Sequence, residues 1–401
     1  MKTYLKELEC PKCGKKHDPS RLNNLCACGT PLLVRYDLDR LAREFDPKEW
    51  GKRPEGLWRY RELLPVVKEE NLVSLGEGGT PVYPLPKIAR EYGLKELYMK
   101  DEGMNPTGTF KARGAAVGVS KALELGVNTV AMPTAGNAGA AWAAYSARAD
   151  IKMVVVMPED APATTQAECV AYGCETYLVK GLISDAGRVV REACAKRGWF
   201  EAATLKEPYR IEGKMTMGLE IWEQFGDKMP DAIIYPTGGG VGIIGMWKAF
   251  QELKIMGWLT GPLPRMVVVQ AEGCAPIVRA YREGKDKAEF FQDAHTVAAG
   301  IRVPSALGDF LVLDAVRSSG GTCVTVTDEE LLDTWKHVSR TEGALICPEG
   351  AAAVKAAKMI KDMGVISEDD TVLVLNTGAG MKYTELLLER AVNLGSAGLV
   401  K

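Results

Sequence analysis

A chain of 401 residues, 46% of them hydrophobic and 25% charged, has enough apolar side chains for two packed domains. Its 50 basic and 52 acidic residues nearly cancel to a net charge of -2, so no global field draws in nucleic acid or an anionic membrane. The N-terminus MKTYLKELECPKC lacks an apolar signal core, and no uninterrupted apolar run is long enough to span a bilayer, so a cytoplasmic protein is expected. Residues 1–36 read as a cysteine-rich, turn-rich head without a core of its own. Its Cys10, Cys13, Cys26 and Cys28 are spaced C-x2-C, twelve residues, C-x-C. The first pair suits a zinc knuckle, the second is one residue shorter than in the usual ribbon, and His17 stands by as a substitute ligand. The expectation is a structural zinc with no open position, set against a degenerate ribbon that has lost its metal. The other six cysteines are spread singly, as small apolar core residues are.

The segment 37–58, charged and then rich in Trp and Pro, suggests an arm laid across a larger body. From about Leu72, Val/Ile-rich runs (TVAMPT, KMVVVMPE, DAIIYPT, RMVVVQA, TVLVLNTG) alternate with helical stretches at Ala115–Leu125, Ala138–Ala149, Gly242–Leu253 and Ala351–Met363. That alternation predicts an α/β protein with parallel sheets covered on both faces. Such folds bind ligands at the C-terminal ends of their strands, and the unusual small or polar residues stand there. They are Asn137 in TAGNAG, the run Gly238-Gly239-Gly240-Val241-Gly242, and Asn376-Thr377-Gly378. The tail after Leu388 carries no motif. His295 and His337 read as surface positions, and Trp222 and Trp247 as packing residues.

The glycine run after a strand and before a helix can close backbone N–H groups on a phosphate. It lacks the lysine and Ser/Thr of a nucleotide P-loop and is not G-x-G-x-x-G, so alone it reads equally as a turn. Lys111, in NPTGTFKARGA, falls in the first turn of a helix, where the dipole disfavours a cation. The same potential lowers the amine pKa and favours the free base that attacks a carbonyl, and Arg113 is expected to act in the same direction.

Five segments then occur in order: EGGTP at Glu77–Pro81, NPTGTFKARG around Lys111, TAGNAG around Asn137, GGGVG from Gly238 and NTGAG from Asn376. From about Gly76 to Lys382 the chain thereby resembles the fold type II pyridoxal phosphate enzymes, the family of threonine synthase, threonine and serine dehydratases, cysteine synthase and the tryptophan synthase β chain. The resemblance implies a tryptophan synthase β-like fold of two parallel-sheet α/β domains with the cofactor between them. Residues 37–112 and 205–401 would form the large domain and 113–204 the small one, preceded by the zinc-ribbon-like extension. Lys111 would carry the cofactor and shuttle protons, Asn137 would meet the ring hydroxyl, and Gly238, Gly239, Gly240, Val241 and Gly242 would cup the phosphate. Thr377 would face the pyridine nitrogen. A hydroxyl there does not force that nitrogen to stay protonated, which leans the chemistry towards elimination and replacement.

Within the family the texture is closest to threonine synthase, which would convert O-phosphohomoserine and water to threonine and phosphate. PYRIEGK at Pro208–Lys214 is similar to a segment whose arginine grips the substrate phosphate, which implies that role for Arg210. Thr134, Ala135, Asn137 and Ala138 would take the substrate carboxylate. The chain departs from the pattern at Ala112, at Ala138 and in GIRVPSALGDF from Gly300. Those departures keep alternatives open: an ammonia-lyase acting on threonine or serine, or a β-replacement enzyme such as cysteate synthase. More remote are a non-catalytic zinc-ribbon regulator binding nucleic acid, with Lys12, Lys15 and Lys16 as its small basic cluster, and a nucleotide-binding α/β enzyme. The partners expected are a small amino-acid substrate and, by resemblance, a second copy in a homodimer; neither nucleic acid nor membrane is expected.

Overall fold

The computed structural model describes residues 2–387, so the motif-free tail after Leu388 lies outside the described residues. Strands buried on both faces need near-continuous apolar sequence, and the Val/Ile-rich runs supply it. They form a six-stranded sheet in the order Cys323–Val326, Arg265–Ala271, Ala232–Pro236, Thr371–Asn376, Glu96–Asp101, Val82–Pro84. Every neighbouring pair is parallel except the last, where Val82–Pro84 runs antiparallel along the edge. A second sheet, wholly parallel, has the order Glu175–Val179, Lys152–Pro158, Thr129–Pro133, Phe200–Glu201. No helix among the described residues is long and apolar enough to cross a membrane.

The chain leaves the large sheet through the helix Lys111–Glu124 and returns to it through the helix Arg210–Phe225. These two crossover helices touch backbone to backbone. A Cβ at Gly213 would lie 2.0 Å from the carbonyl oxygen of Arg113, and one at Gly114 would lie 3.1 Å from Arg210. Only glycine permits that approach, and it sets the N-termini bearing Lys111 and Arg210 side by side. The helix Lys111–Glu124 also runs unbroken across the domain boundary expected between 112 and 113.

Buried charge locks the crossover. Arg113 donates from Nε to Glu102 (2.6 Å) and from Nη1 to Glu220 (2.7 Å), while Lys100 donates to Glu220 at 3.0 Å. The four groups are all buried, and each is satisfied by the others, as charges in a low-dielectric interior must be.

The head is a three-stranded antiparallel sheet in the order Lys16–His17, Leu5–Glu9, Leu33–Tyr36. The head has no core of its own: its Leu8, Cys10, Val34 and Tyr36 belong to the main hydrophobic core. Tyr36 donates to Glu212 at 2.8 Å, so the head docks on the return helix. The arm that follows seals Trp50 against Tyr60, Trp222 and Trp258, all in edge-on contact.

Candidate active site

Lys111 is the first residue of its helix, and its backbone N–H donates to Thr109 Oγ1 at 3.3 Å. Part of its side chain is exposed, yet the amine is desolvated, with Nζ 4.2 Å from the centroid of the Phe110 ring. Burial first, and then the Arg210 guanidinium, lower its pKa to about 8, against an opposing pull from Glu349. Arg113 does not take the part expected of it. Its guanidinium is saturated by Glu102 and Glu220 on the other side of the helix. A second cation does lie close: buried Lys214 donates to the carbonyls of Phe110 and Lys111, and burial followed by Lys111 and Arg210 drives its own pKa well down.

Around Lys111 the strand ends converge. The Phe110 N–H donates to Thr377 O at 3.1 Å, and Ala379 N donates to Gly108 O at 2.8 Å, which ties the lysine loop to the end of Thr371–Asn376. The Thr377 hydroxyl lies 3.7 Å from the Cys347 sulfur. Asn137 opens its own helix and donates to Tyr383 at 3.4 Å; Tyr383 donates to Glu349 at 2.9 Å, and Gly300 N donates to the same carboxylate oxygen at 2.6 Å. The Gly300 carbonyl in turn sits where a Cβ on Gly238 would come within 2.9 Å of it. Lys111, Asn137, the glycine run and Thr377 thus line one ring of contacts.

Gly238, Gly239 and Gly240 lead into the helix Val241–Ile255, with Gly240 left-handed (φ 80°) as its N-cap. At three of these positions a side chain has no room. A Cβ would strike Val303 from Gly238, Val312 from Gly240 and the Tyr235 hydroxyl from Gly242. Gly239 is the half-exposed member, with only the Thr204 methyl 3.2 Å from its would-be Cβ. The run therefore brings bare backbone to the N-terminus of that helix, whose first N–H groups lack intrahelical partners and whose positive end favours an anion.

The residues expected to bind substrate are placed less uniformly. Thr134 spends its hydroxyl on its own loop, accepting from Gly136 N and Gly139 N at 3.2 Å and donating to Gly136 O at 3.0 Å. What the loop Thr134–Ala138 offers an anion is backbone, in the first turn of Asn137–Arg148, where N–H groups lack intrahelical partners. Arg210 is buried and held on three sides, by the Glu207 carboxylate, the Ala202 carbonyl and, at 3.3 Å, the Thr204 hydroxyl. Those three bonds leave two of the five guanidinium N–H donors, one on each Nη.

Two residues of this ring escaped the reading of the sequence. Glu349 and Tyr383 are buried, and Glu349 Oε2 has no partner, a costly state for a carboxylate oxygen. Glu349 was legible only as an anomaly, a carboxylate in the alanine-rich segment PEGAAAV. The Tyr235 hydroxyl, packed beneath Gly242, is likewise buried without a partner. Two orphaned polar atoms, a desolvated lysine amine and a glycine cradle fit an aldehyde cofactor bearing a phosphate.

Comparison with known proteins decides the point. A family model described as pyridoxal-phosphate dependent enzyme matches residues 73–378. The chain belongs to this family. It is a pyridoxal-phosphate-dependent enzyme of fold type II, a lyase with threonine synthase-like sequence. It is 38% identical over 374 residues to the threonine synthase of Methanocaldococcus jannaschii, covering 93% of this chain and 92% of that one. It is 39% identical to the threonine synthase of Methanosarcina acetivorans, covering 95% and 93%. Among solved structures, a threonine deaminase isoform from Solanum lycopersicum superposes with a TM-score of 0.66 at 21% identity, over 83% of this chain and 90% of that one. Maize serine racemase gives 0.65 at 24%, over 79% and 89%. At those identities the likeness speaks for the fold of the enzyme.

The second cluster lies in the head. The sulfurs of Cys10, Cys13, Cys26 and Cys28 all fall within 4.8 Å of one another, and the pairs Cys10–Cys28, Cys13–Cys26 and Cys13–Cys28 are 3.5, 3.6 and 3.8 Å apart. A tetrahedron with zinc–sulfur bonds of about 2.3 Å has edges of about 3.8 Å, so the sulfurs match a site of four thiolates. Its second pair tolerates the short C-x-C spacing because Gly29, at φ 80°, turns the chain back immediately after Cys28. His17 is not a member of the cluster.

Proposed function

We propose that the enzyme is a threonine synthase, converting O-phosphohomoserine and water to threonine and phosphate. The observation that carries this reading is Arg210, a buried guanidinium beside Lys111 with two donors to spare. Two N–H groups on adjacent nitrogens suit two oxygens of a phosphate. Relatives named threonine synthase, aligned over nearly their whole length, support it.

Residues 238–242 and the Tyr235 hydroxyl would hold the cofactor phosphate, Asn137 its ring hydroxyl and Thr377 its ring nitrogen. When bound, pyridoxal phosphate supplies the electron withdrawal that acidifies the substrate's α and β C–H bonds. The chain's residues do the rest. Arg210 binds and orients the phosphate on Cγ, and N–H groups of the 134–138 loop hold the carboxylate. Lys111 Nζ, whose pKa of about 8 leaves a far larger neutral fraction near pH 7 than an ordinary lysine has, takes the α proton and delivers protons to the carbon skeleton. Phosphate leaves from Cγ, and water adds at Cβ. Lys382 bridges Glu168 (2.6 Å) and the Thr107 carbonyl (3.1 Å), a link that would hold the lysine loop closed against other water.

The test is product analysis. Cofactor-loaded protein given O-phosphohomoserine should release phosphate and threonine in equal amounts, and Lys111→Ala should release neither. Ammonia and a 2-oxo acid from threonine or serine, with no phosphate from phosphohomoserine, would replace this reading by the ammonia-lyase one. That second reading draws on Glu207, which already neutralises Arg210 and leaves a site workable without an anionic substrate group. The β-replacement alternative predicts phosphate release from phosphoserine instead. We further propose one structural zinc on Cys10, Cys13, Cys26 and Cys28, to be counted by elemental analysis and lost in Cys10→Ser. A homodimer in the cytoplasm completes the reading.

A further inference from the structure

The head meets the rest of the chain at the turn that holds Arg210. Asn24 lies two residues before Cys26, between the two cysteine pairs. Its side-chain amide donates to Glu201 O at 2.9 Å and to Lys206 O at 2.7 Å. One –NH2 group therefore spans the two ends of the turn 201–206, which is closed again by Lys206 donating to Glu201 at 2.6 Å. Within the turn Leu205 has φ 61°, a left-handed conformation that a leucine keeps only where its surroundings impose it. Two other polar groups of the same turn face Arg210: the Ala202 carbonyl accepts from Nη2, and the Thr204 hydroxyl from Nη1. The Thr204 methyl also packs towards Gly239. The turn thus has an outer rim gripped by the head and an inner rim gripping the arginine.

We propose that Asn24 is a positioning residue for the substrate anion. Through it the cysteine head fixes the turn 201–206, the turn fixes the Arg210 guanidinium, and the affinity for a phosphate-bearing substrate depends on the head. The inference rests on the reading of Arg210 as the anion-binding group. It also gives the zinc cluster a task beyond holding three short strands together, because the cluster sets where Asn24 stands.

The experiment uses the full chain loaded with cofactor and zinc, in three variants. Asn24→Asp keeps the shape but turns an acceptor towards two carbonyls; Asn24→Ala removes both bonds and serves if the aspartate variant does not fold. Loss of two hydrogen bonds that restrain one group should raise KM for O-phosphohomoserine about tenfold, with kcat within about twofold. Calorimetric titration with inorganic phosphate should show its dissociation constant weakened by the same factor, while the visible cofactor band and zinc content stay as in the parent. Arg210→Gln is the reference and should abolish phosphate binding. If it does and both Asn24 variants bind phosphate like the parent, the role of Asn24 is overturned while the anion reading stands. If Arg210→Gln binds phosphate unchanged, the anion reading fails and takes the role of Asn24 with it. A fall in kcat together with loss of the cofactor band would mark a general structural defect and overturn positioning as the cause.

Discussion

At Lys111, burial and Arg210 favour the neutral amine, and Glu349 opposes them. With its pKa near 8, the free base becomes dominant as pH rises through that value, whereas an ordinary lysine would need pH above 10. The rate at which cofactor-free protein captures pyridoxal phosphate, followed by visible absorbance, should therefore climb with a midpoint near pH 8. Glu349→Gln removes the negative neighbour and should move the midpoint down; Arg210→Gln should move it up. Midpoints that stay together in both variants would show that neither charge acts on the amine. The same residue shows what sequence can and cannot give. Its helix-start position was legible from NPTG and the periodicity that follows. The charge that tunes it was not, because two residues along a helix are turned by about 200°, which carries Arg113 to the far side. Arg210, almost a hundred positions away, reaches Lys111 only through helix packing.

At the scale of elements, Lys100 near the end of the strand Glu96–Asp101, Glu102 just beyond it and the two crossover helices meet in the buried set Lys100, Glu102, Arg113 and Glu220. Arg113→Met would leave two buried carboxylates facing a single lysine, which costs about 3–5 kcal/mol when such a pair is broken. Denaturant unfolding should show it, and a loss under about 1 kcal/mol would mean that Lys100 and water compensate. The junction of head and return helix carries a second set. Glu212, bonded to Tyr36 and Lys248, has its pKa raised to about 7 by burial first, with Lys248 pulling it down and Glu252 pushing it up. A carboxyl raised from 4.5 to about 7 stays protonated in the folded state while the unfolded chain ionises. Its stabilising contribution is therefore complete below pH 4.5 and lost as pH rises to 7, a fall of roughly 3 kcal/mol from this group alone. Unfolding of Glu212→Gln at pH 5 and pH 7 should lack that component. These sets explain what sequence reading missed in the fold. The main strands announce themselves through apolar runs, but the antiparallel edge Val82–Pro84 and the two-residue strand Phe200–Glu201 exist only through their partners. The head, read as lacking a core of its own, has its few apolar residues completed by side chains elsewhere in the chain.

Over the whole molecule, the two sheets are joined covalently at the crossovers, share one hydrophobic core, and also make a few polar contacts across the site. Lys382 reaches both oxygens of Glu168 at 2.6 Å, Arg302 lies 3.4 Å from Asp160, and Asn137 meets Tyr383. The Arg302 pair is half-exposed and, as a surface ion pair, contributes little. The Lys382 pair is different: it is mostly buried, and the same ammonium also bonds to the Thr107 carbonyl, where the backbone is left-handed at φ 59°. Lys382 therefore links the helix Ala163–Ala171 on one side to the lysine loop on the other. If closure over the site shields the reacting carbon from stray water, Lys382→Ala should weaken closure without touching Lys111. The expected result is a severalfold higher KM and a larger share of ammonia and 2-oxobutyrate among the products, since an exposed unsaturated intermediate hydrolyses. Glu168→Gln should reproduce both effects more weakly, because its amide can still accept one bond. Unchanged product ratios in both variants would show that the link holds the loop but does not guard the reaction.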